Sequence, residues 1–76
     1  MADNPYVEPV QVSKEVYDGI RAVEKIGIDM HNPGQVKEIA SQTGHTETSK
    51  WINDHVAEYM RGVLEDGFEP REQEKT

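Results

Sequence analysis

The sequence contains no cysteine, which rules out a disulfide, a thiolate metal site and a thiol nucleophile together. Tryptophan and phenylalanine occur once each, leaving little aromatic bulk for a core. No apolar run approaches the roughly 20 residues of a membrane-spanning helix. Residues 1–5 carry neither a basic flank nor an apolar stretch, so no secretory signal is expected there. Several sequence patterns of catalysis are missing too: no Gly-rich phosphate loop, no His-Glu-x-x-His and no serine in a nucleophile elbow. The chain is therefore not expected to be an enzyme, no cofactor is expected, and the default location is the cytoplasm.

What the chain has in quantity is negative charge. Fifteen acidic residues against eight basic ones give a net charge of −7. Such a field favours solubility, repels nucleic-acid phosphates and anionic membranes, and suits a basic partner surface. Nucleic acid and membrane are thus unexpected partners. The 76 residues make one domain, and a domain of this size buries only about 60% of its unfolded surface. With so thin a core, a homodimer is a natural way to gain apolar contacts.

Punctuation residues divide the chain into an arm, a helical domain and a tail. Pro5 and Pro9 sit among isolated apolar residues in 1–12, which reads as an extended or disordered arm, since proline bars a helix and disfavours a central strand. Residues 13–68 form the helical domain. Ser13 is placed to cap a first helix over 14–26, with Val16, Ile20 and Val23 on one face and Gly27 as its stop. Asn32-Pro33-Gly34-Gln35 is a strong second start, for a helix over 33–43 with Val36, Ile39 and Ala40 inward and Gly44 ending it. Thr46 or Thr48 caps a third helix of about five turns, some 30 Å long, running to Asp66. It carries Trp51, Ile52, Val56, Tyr59, Met60, Val63 and Leu64. Gly67 and Pro70 stop it, Phe68 is free to fold back, and 69–76 is a charged tail of disordered composition. The expected fold is all-α: a small three-helix domain with a long C-terminal helix and an extended N-terminal arm. Its core comprises Val16, Ile20, Val23, Val36, Ile39, Ala40, Ile52, Val56, Tyr59 and Val63.

The second and third helices have the pattern of a helix-turn-helix. An apolar Ile39 is followed by Ala40, which permits close approach, and by Gly44 four residues later, which takes the positive φ of the turn. Beyond Gly44 that pattern wants apolar residues where His45, Lys50 and Asn53 stand, and a shift to Trp51 and Val56 restores a core face at the cost of a longer turn. The recognition helix would open on Glu47-Thr48-Ser49-Lys50, a poor supply of cations for phosphates. A DNA-binding use would rest on Lys37, Lys50 and Arg61 converging. The histidines His31, His45 and His55 lack the spacing of a metal set, so no metal site is expected. Trp51 is most simply core or helix–helix packing, and it also suits an interface anchor. The face best suited to a protein partner joins Trp51, His55 and Tyr59 with the acidic Asp54 and Glu58.

The residues Ile20-Arg21, Gly27, Met30, Val36, Ala40 and Gly44, continuing to Trp51-Ile52, Tyr59 and Leu64, resemble a family of short proteins of unknown function from phages and prophages of Gram-positive bacteria. The likeness covers residues 16–67. Asp29 and His31 depart from it, standing where that family favours Asn and Phe. The family has no established activity and brings no site residues. It implies a phage-encoded accessory protein acting in the host cell cytoplasm by binding a host protein, such as an enzyme or a defence factor. A small DNA-binding regulator is the alternative from another class.

Overall fold

The chain, seen here as a computed structural model, is described over residues 8–71. It is mostly helical, with one small pair of parallel strands. Strand β1 spans Val10–Val12 and strand β2 spans Phe68–Pro70, paired in the register Val10–Phe68, Gln11–Glu69 and Val12–Pro70. Between them lie helices α1 (Lys14–Ile26), α2 (Pro33–Gln42), α3 (Thr46–Asp54) and α4 (Val56–Arg61), then a π-helical turn over Gly62–Asp66.

Two expectations change. The chain is not all-α, because the Val-Gln-Val alternation of β1 turns Val10 and Val12 into the core and Gln11 outward, the period-two signature of a half-buried strand. Nor is the last helix continuous to Asp66. It breaks at His55 (φ −136, ψ 50) and loosens into the π turn, so four helices replace the expected three.

Local signals account for the first two helices. The Ser13 side chain accepts a hydrogen bond from the Val16 N–H at 3.1 Å, and Gly27 (φ 95) caps the C-terminus of α1. Asn32 accepts from the Gln35 N–H at 3.2 Å, with Pro33 at the first helical position of α2. Thr43, Gly44 and His45 then turn the chain into α3. Gly44 has φ +88, a left-handed conformation that costs a residue with a Cβ far more than glycine. No threonine caps α3. His45 holds that position without a side-chain bond, and Thr48 is buried inside the domain.

Thr48 marks how α1 and α3 cross. A Cβ built at Gly19 would collide with Thr48 Oγ1 and lie 2.8 Å from Thr48 Cβ. The helices therefore approach so closely that only glycine fits. The Thr48 hydroxyl, thus enclosed, donates to the Val16 carbonyl at 3.3 Å, as a buried polar group must.

The core has two parts. Val23, Val36, Ala40, Ile52 and Tyr59 form one; Val10, Val12, Val16 and Ile20 form the other. Met30, Trp51 and Phe68 pack against both and join them. Two expected core residues are only half-buried, Ile39 and Val63, and Val56 is exposed. The break at His55 rotates the next turn, so that Tyr59 and not Val56 enters the core.

Candidate functional site

The helix break also creates the most distinctive surface. His55 stacks on Trp51 with ring centroids 5.1 Å apart and planes 18° from parallel. Its Nδ1 lies 3.0 Å from the Trp51 carbonyl oxygen. A carbonyl only accepts, so Nδ1 carries the proton and, in the neutral ring, Nε2 is left as an acceptor. Trp51 is half-buried and its other neighbours are internal, with the Phe68 ring edge-on at 6.3 Å. The indole is therefore fixed by the core, while the imidazole above it is exposed.

Charged groups flank this stack on both sides. A recess of about 570 Å³ is lined by Trp51, His55, Glu58, Arg61 and Arg71 together with residues 8–11. A second, of about 250 Å³, brings Glu47, Lys50, Asp54 and Arg71 to the same two rings. Four of the five residues expected to form a partner face are thus together: Trp51, Asp54, His55 and Glu58. Tyr59 is not among them. It is fully buried, its hydroxyl donates to the Met30 carbonyl at 2.8 Å, and its ring lies 5.7 Å from that of Phe68. Burial pushes its phenol up to about 12, with the carboxylates of Asp29 and Glu24 adding to the effect. Asp29 itself accepts the His31 backbone N–H at 2.9 Å, and this bond, reinforced by the His31 ring, holds its carboxyl below the usual range.

The cations proposed for DNA do not converge as a set. Lys37 donates to Asn53 Oδ1 at 3.0 Å and lines a separate recess with Ser41, Gln42 and Ser49. Arg61 is paired with Asp66 at 3.0 Å. Lys50 lies on the other side of the Trp51–His55 stack.

Sequence reasoning missed Arg71, which it assigned to the tail. The Arg71 N–H donates to the Val12 carbonyl at 2.6 Å, extending the strand pairing and bringing the guanidinium to both recesses. Only the Val10–Gln11–Val12 alternation hinted at a strand for it to join. A further cleft, of about 390 Å³, was also not foreseen. Ile20, Met30, Val63 and Phe68 form its apolar part, and Tyr17 and Arg21 stand at it, the Arg21 guanidinium lying 5.7 Å from the Tyr17 ring centre. Ile20, Arg21 and Met30 are among the residues that carry the phage-protein resemblance.

Among the described residues, no group of three or more His, Asp or Glu is arranged to hold a metal ion, and no helix is long and apolar enough to cross a membrane. The Trp51–His55 surface offers a rigid aromatic plane, one imidazole nitrogen without a partner among the described residues, and charges of both signs at its edges. Such an arrangement suits contact with another surface. Comparison with protein-family models, curated proteins and solved structures gave no match, so the likeness to phage proteins rests on the residues named for it above.

Proposed function

We propose that this chain is a small acidic accessory protein, of the kind phages encode, that binds a host protein through the Trp51–His55 face and has no catalytic activity of its own. The observation that carries this reading is an exposed imidazole stacked on an indole that the core holds in place. Interface hot spots are commonly aromatic groups of this sort, already ordered and ringed by polar residues. Preorganisation matters because little side-chain entropy remains to be lost on binding. Asp54 and Glu58 supply the acidic rim, and a basic host enzyme or defence factor, particularly one that normally grips nucleic acid, suits both that rim and the net charge of −7. Host cytoplasm is the corresponding location.

The test is a tagged pull-down from a Gram-positive lysate treated with nuclease, comparing the wild type with His55→Ala and Glu58→Lys. Both positions are exposed, so the variants are expected to keep their helical circular dichroism. The reading expects a stoichiometric host protein that survives nuclease and is lost with either variant. Undiminished capture by both would refute it. Trp51→Ala is the wrong probe, since Trp51 joins the two halves of the core.

One observation favours the DNA-binding regulator: α2 and α3 are joined by a three-residue turn with a left-handed glycine, the kind of turn a helix-turn-helix uses. The scattered Lys37, Lys50 and Arg61 weigh against it. A gel shift at low salt separates the two, because phosphate-driven binding is strongest there.

A further inference from the structure

The hydrogen-bonding pattern of β1 leaves one edge open. The Val10 N–H donates to the Gly67 carbonyl at 2.9 Å, and the Val12 carbonyl accepts from the Arg71 N–H. Residues 10 and 12 thus direct their backbone groups at β2, and by the alternation of a strand Gln11 directs its N–H and C=O the other way. Among the described residues, the Gln11 N–H has no partner, and its carbonyl meets only the Arg71 guanidinium at 3.5 Å, the limit of a hydrogen bond. Two strands of three residues are also shorter than a sheet usually needs, and an open edge is a template for another strand.

We infer that this edge pairs with β1 of a second copy of the chain, antiparallel, about a twofold axis at Gln11. In that register Gln11 faces Gln11 of the partner subunit, and the two exchange N–H···O bonds in both directions. The next pairs outward set Pro9 against Ser13. Proline has no N–H to give, and the Ser13 carbonyl needs none, being occupied by the Tyr17 N–H at 2.8 Å. The Ser13 N–H, extended in line with the strand (φ −64, ψ 159) and without a partner among the described residues, is left to donate to the Pro9 carbonyl. Donors and acceptors therefore match on both sides of the axis. The recess of about 570 Å³ beside residues 8–11 gives the incoming strand room. Trp51, His55 and Glu58 line that same recess, so the second copy and a host partner would meet on adjoining surface, although neither ring enters the ladder.

Amide hydrogen exchange across a concentration series, with light scattering on the same samples, tests the pairing. Val10 is bonded to Gly67 in a single copy and serves as the internal control. Raising the concentration is expected to double the mass from that of one 8.6 kDa chain and to slow exchange at Gln11 and Ser13 by about tenfold or more. Gln11→Pro removes the donor on the outward edge, where proline is tolerated, so the variant is expected to keep its helical spectrum and remain a monomer. A protein that stays monomeric at millimolar concentration overturns the inference. So does a dimer in which Gln11 exchanges freely, or one that a folded Gln11→Pro still forms.

Discussion

Adding one methyl group at Gly19 is the most demanding test of how this domain packs. Gly19 lies on the buried face of α1, where Gly→Ala would ordinarily stabilise a helix by about 1 kcal/mol. Here the new Cβ collides with Thr48 Oγ1 and comes within 2.8 Å of Thr48 Cβ and 3.2 Å of His45 Cβ. Thr48 has nowhere to retreat, being 1% exposed and tied through its hydroxyl to the Val16 carbonyl. Overpacking of this kind costs about 1–3 kcal/mol, and rotating the hydroxyl away from its acceptor costs about 1 kcal/mol more. The packing terms win, for a net destabilisation of about 2 kcal/mol. In a domain of this size that lowers the melting temperature by roughly 10 °C. Urea unfolding, followed by circular dichroism and by the fluorescence of the single tryptophan, measures it. Thr48→Ala in the same background removes the colliding oxygen, so the double variant should lose less than the sum of the two single losses. A Gly19→Ala protein as stable as the wild type, or additivity in that cycle, would refute this account of the crossing.

Three other perturbations have defined outcomes. Gly62→Ala drives a Cβ into the Phe68 ring, 2.9 Å from Cε2; a loss of about 1–3 kcal/mol is expected, with altered Trp51 emission because Phe68 touches the indole. Tyr59→Phe loses the bond to the Met30 carbonyl, costing about 1 kcal/mol at neutral pH. The Tyr59 phenol is raised in the folded state to about 12, so its contribution is intact below about pH 10 and is lost as pH climbs from there through 12, where only the unfolded chain ionises readily. Urea unfolding at pH 8 and pH 11 should show that decline in the wild type, and its slope should flatten in Tyr59→Phe. His55→Ala uncovers one face of the indole and should red-shift its emission at a cost of about 1 kcal/mol; an unmoved spectrum would mean that the stack is not populated in solution.

Helices α1 and α2 were legible because their boundaries are written locally: Ser13, Gly27 and the Asn32-Pro33 start each act within four residues of themselves. The face of Val16, Ile20 and Val23 was legible for the same reason. The break at His55 carries no such mark, since neither Pro nor Gly stands there. It follows from the seating of Tyr59 beneath Met30, a contact made across 29 residues. The strand pair was hidden in a similar way. Val10 and Val12 do alternate with Gln11, but the neighbouring prolines argued against a strand, and the partner lies at the other end of the chain. Thr48 looked like a cap because threonine favours that role, and only the closeness of Gly19 explains its burial. Within the candidate site, Trp51, Asp54, His55 and Glu58 follow from helical spacing alone. Arg71 reaches them through β2, which a count along one helix does not show, while Tyr59, which that count gave to both the core and the partner face, belongs to the core alone.

The pairing of Val10 with Phe68 also sets the order in which the protein is completed during its synthesis. Helices α1 to α3 find their contacts with one another within residues 14–54, and these helices can assemble as soon as that stretch has left the ribosome. Val10 and Val12, made before these helices, have no strand to join until residues 68–70 emerge. Contacts so distant along the chain form slowly, because a long loop must be closed before they yield any free energy. Strand β1 therefore stays unpaired while the helices between it and β2 are made, and the two strands close over a domain whose helices are already in place.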